Sequence, residues 1–310
     1  MVTKKAFPIL ILFFAFYFVE AQTNSSPYIQ ILGIAQDAGY PQMGCTQKCC
    51  IMALENDSLK KSVVSLALID PTAKKWWLFE ATPDIKQQLQ YFKKLTKGEY
   101  PYLPEGIFLT HAHIGHYTGI MQLGREVMNT NVITVYVLPK MKTFLETNGP
   151  WAQLVSQKNI FLNKLSVDTI LKLNESISVS TFTVPHRDEF SETAGFKIIT
   201  SAKKYLFIPD IDKWEKWNKS IVKEVESAEY ALLDATFYEV SELKNRKISE
   251  VPHPLVGETM QLFLKSSAET RSKIVFIHFN HTNPLMWDKE MQLKIKNIGF
   301  KIASQGDKLQ

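Results

Sequence analysis

No dense block of lysine or arginine occurs in this sequence, although its formal net charge is +5. That surplus is small for 310 residues, and it gives no case for nucleic-acid binding. Repeats, low-complexity segments and Gly/Ser linkers are absent too, so residues 22–310 are predicted to form one domain. The hydrophobic content of 45% allows a sizeable core and argues against disordered or fibrous classes.

The apolar run at the N-terminus, Ala6 to Val19, is too short for a membrane-spanning helix, which needs about 20 residues. It follows the positive "MVTKK" and precedes the small residues of "VEA", a pattern typical of a secretory signal peptide, residues 1–21. We expect a periplasmic or secreted protein that does not associate with a membrane after cleavage. The alternative is an uncleaved anchor; no cysteine lies near the cleavage point to carry a lipid.

Cysteine is scarce, and its three residues, Cys45, Cys49 and Cys50, lie together in "GCTQKCC". Two alternatives remain open. Three thiols in six residues can hold a structural metal, or Cys45 can form a disulfide with Cys49 or Cys50 in an oxidising compartment. Adjacent Cys49 and Cys50 would pair only with strain.

Histidine is also scarce, yet three of seven lie in "FLTHAHIGHYTG", directly after an apolar strand candidate. At a strand-to-helix turn, His111 and His113 can converge on one point while His116 approaches from the first helical turn. A catalytic metal site needs about three protein ligands and an open position. The alternative, a polar loop with chance histidines, does not explain this concentration.

Further ionisable residues follow other apolar strand candidates. His186 comes after "STFTVP", Asp210 after "YLFIP" and His278 after "KIVFI", and Asp234 closes "YALLD". Strand candidates occur in runs with helices between them, which predicts α/β architecture with packed sheets covered by helices. We expect a metal site on loops at one sheet edge.

Apolar spacing and capping residues predict helices, among them "KMKTFLETN" after the strand candidate "VITVYVLP". One begins in "ATPDIKQQLQYFKKL" with Thr82 as N-cap and Pro83 at the first helical position. A second covers "HYTGIMQLGREVMN", and a third places Trp214 and Trp217 in the core.

"THAHIGHYTG" resembles the His-x-His-x-Asp-His signature of the metallo-β-lactamase superfamily, and the later order His, Asp, His is similar as well. Within it, "DAGYPQMGC", "FEATPDIKQQL" and "FIHFNHTNPL" resemble the pyrroloquinoline-quinone biosynthesis protein B group. The resemblance spans nearly the whole mature chain and implies a single-domain αββα sandwich with a metal site at one sheet edge.

Carried over residue by residue, the resemblance implies six metal ligands: His111, His113 and His186 for a first metal, His116 and His278 for a second, and Asp210 bridging both. Asp210 and His116 would then take part directly in catalysis. The implied cofactor is one or two Zn²⁺ ions, with iron or manganese as alternatives, and the nucleophile is water activated by the metals.

Gly115 departs from the signature, because it stands where the Asp ligand of the second metal is expected. Three outcomes follow: one metal only, a second metal held by the remaining ligands, or a substitute ligand. His281 and Asp37 are the candidate substitutes.

Other residues depart from the related pattern or extend it. In the cysteine loop Gln47 replaces the middle thiol of the related Cys-x-Cys-x-x-Cys pattern and Cys49 is additional. Asp188 and Glu189 are expected to orient ligands or to contact substrate, and His253 either lines the pocket or supports a loop.

The leading functional hypothesis is an exported metal-dependent hydrolase of a small ester, lactone, amide or phosphoester. The alternatives are an iron-dependent oxidative enzyme related to quinone-cofactor biosynthesis, and a non-catalytic metal-binding protein. The expected partner is a small-molecule substrate, and the sequence gives no indication of oligomeric state.

Overall fold

The computed structural model describes residues 2–3, 26–243 and 251–310 of the chain. Apart from residues 2–3, the predicted signal peptide lies outside the described residues. Among the described residues, no helix combines the length and the apolar character that a membrane crossing requires.

Two seven-stranded sheets form the framework. The first has the order β14-β1-β2-β3-β4-β5-β6, and the second β13-β12-β11-β10-β9-β8-β7. The strands of the first sheet are β1 (Tyr28–Gly33), β2 (Ser65–Asp70), β3 (Lys75–Phe79), β4 (Gly106–Phe108), β5 (Ile133–Val137), β6 (Ile160–Lys164) and β14 (Lys308–Leu309). Those of the second are β7 (Ile170–Lys172), β8 (Ile177–Val184), β9 (Thr193–Thr200), β10 (Lys204–Ile208), β11 (Tyr230–Asp234), β12 (Ile274–Ile277) and β13 (Lys301–Ile302).

Each sheet combines antiparallel and parallel pairing. β3 to β6 are parallel, whereas β1 and β2 pair antiparallel with their neighbours. In the second sheet β10 to β13 are parallel and β7 to β10 antiparallel.

Helices lie between and after the strands. They are α1 (Lys48–Glu55), α2 (Ile85–Leu95), α3 (Ile114–Tyr117), α4 (Pro139–Thr147), α5 (Trp151–Ser156), α6 (Ile221–Glu226), α7 (Val256–Phe263), α8 (Ala268–Lys273) and α9 (Lys289–Asn297).

The main core lies between the facing sheets. Phe79 and Phe108 of the first sheet meet Phe196 of the second edge to face, with ring centroids 5.3 and 5.6 Å apart. Alternation along β3 directs Trp77 and Phe79 into this core, and Trp76 and Leu78 into a second cluster on the outer face.

Helices cover both outer faces. The second cluster includes apolar residues of α2, α4 and α5, and residues of α6, α7 and α9 pack on the other sheet. The predicted αββα sandwich is therefore confirmed.

Three helix predictions need correction at their ends. α2 begins at Ile85 rather than at Pro83, because Thr82 accepts the N–H of Asp84 in a turn before the helix. Trp214 is buried as predicted, but residues Trp214–Lys216 form a 3₁₀ turn, and the α-helix begins only at Ile221.

The predicted helix after His116 is short. α3 ends at Tyr117 and continues as a 3₁₀ segment, Thr118–Leu123. Gly119 explains the change, because its backbone N–H donates to Ala81 O at 2.8 Å and a Cβ there would lie 2.8 Å from the same oxygen. This close approach fixes the segment against the end of β3 rather than allowing a regular helix.

Candidate metal centre

The predicted site residues meet at one edge of the sandwich, where strands of both sheets end. His111, His113 and His116 follow β4, His186 follows β8, Asp210 follows β10 and His278 follows β12. Asp37 arrives from the loop after β1. The strands that carry them run the same way within each sheet, so their carboxyl ends lie together.

The first ligand group consists of His111, His113, His186 and Asp210. His113 Nδ1 lies 2.8 Å from His111 Nε2 and 3.3 Å from His186 Nε2. Asp210 Oδ2 lies 3.2 Å from His186 Nε2 and 3.4 Å from His111 Nε2. Zinc with ligand distances of about 2.0–2.1 Å gives tetrahedral edges of about 3.3 Å. The four atoms therefore fit a tetrahedral cation.

Hydrogen bonds on the opposite ring nitrogens orient these histidines. Thr110 Oγ1 lies 2.9 Å from His111 Nδ1, and Glu189 Oε2 lies 3.0 Å from His113 Nε2. A carboxylate that accepts the Nε2–H of His113 leaves its Nδ1 lone pair free for a metal. Glu189 thus has the predicted orienting position, whereas Asp188 accepts a hydrogen bond from Thr193 Oγ1.

The second group consists of Asp37, His116 and His278. Asp37 Oδ1 lies 3.4 Å from His116 Nε2, which is 3.7 Å from Asp210 Oδ2. Asp37 Oδ1, His116 Nε2 and His278 Nε2 are all buried and have no hydrogen-bond partner among the described residues. Buried polar atoms without partners are costly, and three that face one another fit a cation.

Glu80 and Thr236 support the second group, and sequence reasoning missed both roles. The Glu80 carboxylate, fully buried, lies 3.4 Å from His116 Nδ1. Thr236 Oγ1 lies 3.0 Å from His278 Nδ1 and donates to Asp234 Oδ1 at 2.7 Å. Their position directly after or near a strand end was the only available signal.

His253 joins two buried carboxylates. Its Nδ1 lies 3.1 Å from Asp210 Oδ1 and 3.0 Å from Asp234 Oδ2. Burial acts to lower the pKa of His253, but Asp234 and Asp210 outweigh it and raise that pKa to about 10. The Nδ1–H donates to Asp234 Oδ2, and the charge of the imidazolium attracts Asp210 Oδ1.

Buried carboxylates and imidazoles at the site shift each other's pKa. Burial acts to lower the pKa of His116, yet Glu80 and Asp37 raise it well above the ordinary value. Burial acts to raise the pKa of Asp210, yet His186 and His253 hold it well below the ordinary value. Asp210 therefore stays ionised, and a buried ionised carboxylate favours a cation over a neutral occupant.

A cavity of about 340 Å³ opens beside the second group. Its lining is mostly polar and includes His253, which agrees with one of the two alternatives given for that residue. The residues that line it are Gln36, Asp37, Ala38, Gln42, Arg187, Phe237, Val251, Pro252, His253 and Asn280.

The cysteines form a separate group with His281. All three thiols are free, so the structure does not support the disulfide alternative. His281 Nδ1 lies 3.3 Å from Cys50 Sγ and 3.8 Å from Cys49 Sγ, and Cys45 completes the group. The expectation that His281 replaces the missing Asp ligand is corrected, because its ring faces the thiols. Three thiols and one imidazole fit a structural zinc site.

The family model described as the beta-lactamase superfamily domain matches residues 75–279, more than half of the chain. The chain therefore belongs to the β-lactamase superfamily.

Among known proteins it is similar to coenzyme PQQ synthesis protein B. It is 24% identical to that protein of Methylorubrum extorquens (strain PA1) over 306 residues, covering 90% of this chain and 98% of the relative. It is 25% identical to the coenzyme PQQ synthesis protein B of Methylococcus capsulatus (strain ATCC 33009 / NCIMB 11132 / Bath) over 308 residues, covering 90% of this chain and 98% of the relative.

Solved structures share the fold. Zn²⁺-bound PqqB from Methylobacterium extorquens superposes with a TM-score of 0.73 at 22% identity, covering 91% of this chain and 99% of that one. The crystal structure of a diphosphatase from the PhnP family superposes with a TM-score of 0.68 at 16% identity, covering 92% of this chain and 97% of the diphosphatase. The predicted resemblance to the protein B group is confirmed.

Proposed function

We propose that the protein is a metal-dependent hydrolase of a small polar substrate, with two cations, most simply Zn²⁺, at the histidine site. One observation carries the proposal: the two ligand groups meet at Asp210. Its Oδ2 belongs to the first group and lies 3.7 Å from His116 Nε2 of the second. When bound, a cation pair lowers the pKa of water and polarises a substrate carbonyl or phosphoryl group.

The chain's own residues would position the reactants. His253 Nδ1 lies 3.1 Å from Asp210 Oδ1, whereas Asp210 Oδ2 lies close to the histidines of both ligand groups. Gln42, Asn280 and Arg187 line the adjoining cavity and supply amide and guanidinium donors. Guanidinium groups bind phosphate and carboxylate oxygens with two hydrogen bonds. This lining favours an anionic substrate, so a phosphoester is the first class to test, followed by lactones, esters and amides.

A second candidate function comes from the curated relatives. The chain covers 98% of the length of the coenzyme PQQ synthesis protein B of Methylorubrum extorquens. That similarity supports a role in the synthesis of a quinone cofactor, with iron at the histidine site, because histidine and carboxylate ligands suit both metals.

Metal analysis and a substrate panel distinguish the candidates. The protein, purified without added metal, is analysed for zinc, iron and manganese, and then tested on phosphodiesters, phosphomonoesters, lactones and β-lactams. We expect zinc and hydrolysis of a phosphoester. His113→Ala, which alters the most accessible ligand of the first group, should lose metal and lower kcat/KM by at least about 100-fold.

Asp212→Asn is the matched control, because Asp212 lies two residues from Asp210 yet pairs with Lys216. It should keep the metal and the activity. Iron without hydrolysis would favour the quinone-related function, and bound zinc without turnover on any substrate would indicate a metal-binding protein.

The proposal includes export. Expression of the full chain in a bacterium with a periplasm should yield a mature protein that begins at Gln22, because cleavage is predicted after Ala21. An intact N-terminus on the recovered protein would contradict export by a cleavable signal.

A further inference from the structure

Gly115 lies between two ligands, His113 and His116, at a place where no side chain fits. It is the second residue of α3 and is buried. A Cβ built on Gly115 would lie 2.6 Å from the Cα of Asp37, and closer still to its Oδ1. Because one of these atoms is backbone, a rotamer change of Asp37 could not relieve the clash. The loop after β1 therefore requires glycine at position 115.

The same loop directs a carboxylate into the second ligand group. Asp37 Oδ1 lies 3.4 Å from His116 Nε2, and the ligand atoms of Asp37, His116 and His278 all lie within 4.8 Å of one another. It is buried without a hydrogen-bond partner among the described residues. The space that a residue-115 side chain would need is occupied by this carboxylate.

Backbone contacts hold the loop in this position. The N–H of Gln36 donates to Phe279 O at 2.8 Å, and the N–H of Gly39 donates to Gln36 O at 2.8 Å. Gln36 Oε1 accepts from Asn280 Nδ2 at 2.6 Å. Asp37 is thus tied to the segment that carries His278, so its carboxylate needs little reorganisation to bind a metal.

We infer that Asp37 is the carboxylate ligand of the second cation and that it replaces, from a different loop, the side chain missing at position 115. The carboxylate comes from position 37 instead of position 115, and glycine at position 115 leaves the space that Asp37 occupies. The inference rests on the proposed function in one respect, the binding of a second cation by His116 and His278. It also places a metal ligand on the loop that lines the substrate cavity.

An exchange of the two positions tests this inference through metal content. Four proteins are compared: wild type, Asp37→Asn, Asp37→Gly, and the double variant Asp37→Gly/Gly115→Asp. Each is loaded with Zn²⁺, dialysed and analysed for bound zinc, and Zn²⁺ affinity is measured by competition with a chromophoric chelator. Unfolding temperatures show which variants are folded.

Both single variants should bind one zinc fewer than wild type, or bind the second with at least about 10-fold lower affinity. The double variant should regain the second zinc, because Asp37→Gly removes the carboxylate that occupies the space and gives the loop backbone the freedom to move away from a Cβ at position 115. Asp57→Asn is the control, since Asp57 is exposed and pairs with Lys60; it should bind zinc as wild type does.

Wild-type zinc content and affinity in Asp37→Asn would overturn the inference. A folded double variant that binds zinc no better than Asp37→Gly would overturn the claim that a carboxylate at position 37 replaces one at position 115. Failure of the hydrolase proposal looks different, since a protein that binds both cations but hydrolyses nothing leaves the role of Asp37 intact. Wild-type protein that takes up no zinc at the histidine site would overturn both.

Discussion

At the scale of single residues, two residues beside His116 adopt backbone conformations that are unfavourable for residues other than glycine. Glu80 and His278 have φ angles of 70° and 67°, a left-handed region that residues other than glycine rarely adopt. Both residues are fully buried. Each such conformation costs on the order of 1–3 kcal/mol, and such residues concentrate at functional sites. The rest of the fold must therefore offset this strain.

Thr236 is the residue whose removal should most directly disturb His278. Its hydroxyl donates to Asp234, so the His278 Nδ1–H donates to Thr236 and Nε2 remains free for a metal. Thr236→Val keeps the shape but leaves that N–H buried and unpaired. We expect a loss of about 1–3 kcal/mol in the free energy of unfolding and about 10-fold weaker binding of the second zinc. Urea unfolding and zinc competition measure the two effects.

Thr259→Val is the matched control for Thr236→Val. The Thr259 hydroxyl accepts a hydrogen bond from Trp214 Nε1 at 2.9 Å, in a buried position outside the metal groups. Thr259→Val should lower the free energy of unfolding to a similar extent as Thr236→Val without altering zinc affinity. Equal zinc affinities for both variants would show that Thr236 does not position His278.

The ligand set could be predicted further than its supporting residues. His111, His113 and His116 were identifiable from their concentration in a histidine-poor chain, and His186, Asp210 and His278 from their places after apolar strands. Asp37 and His281 could not be separated in advance, because both follow strands and both carry ligand atoms. Only the packing of the loops decides that Asp37 faces His116 and His281 faces the thiols.

At the scale of elements, strands were predicted better than helices. The apolar runs that predicted β4, β10, β11 and β12 are short and are followed by polar or turn residues, so local sequence identifies them. The helix ends depend on tertiary contacts instead. α3 stops at Tyr117 because Gly119 packs on the backbone of Ala81, a contact between segments that sequence spacing does not record.

The cysteine group joins two segments that flank the metal centre. Cys49 and Cys50 belong to α1, and His281 follows the strand that carries His278. Gln42, in the loop between Asp37 and α1, donates its N–H to Cys50 Sγ at 3.4 Å. A cation bound here would fasten the Asp37 loop to the end of β12.

Cys50→Ser should abolish zinc binding by the cysteine group and make the Asp37 loop more mobile. We expect hydrogen exchange to become faster in residues 36–50, because metal binding contributes directly to local folding. Burial raises the pKa of Cys50 to about 12. A cation must therefore displace its proton, and zinc uptake by wild type should strengthen as the pH rises. Zinc analysis and hydrogen exchange followed by mass spectrometry measure both effects.

Leu54→Ser provides the control on the same helix, since Leu54 is exposed and carries no ligand atom. It should retain every zinc and wild-type exchange in residues 36–50. If Cys50→Ser also retained every zinc, the cysteine group would not be a metal site.

At the scale of the whole molecule, the metal centre connects the two sheets. His111, His113 and His116 belong to the first sheet, whereas His186, Asp210 and His278 belong to the second. The ligands therefore come from halves of the sandwich that otherwise meet through their apolar core. A cation bound by ligands from both sheets binds only the folded chain, because these ligands are not held together in the unfolded chain.

Metal removal should accordingly lower the stability of the entire fold. A ligand present at about 100 times its Kd adds about 2.7 kcal/mol to the free energy of unfolding. In a domain of this size, each kcal/mol shifts Tm by about 2–4 °C. Chelator-treated protein should therefore unfold about 5–10 °C below zinc-loaded protein in calorimetry. The shift should shrink in His113→Ala, where one ligand is lost, and persist in Cys50→Ser, where the histidine site is intact. A shift that survives in His113→Ala and vanishes in Cys50→Ser would mean that the cysteine group, and not the centre between the sheets, carries the stabilising metal.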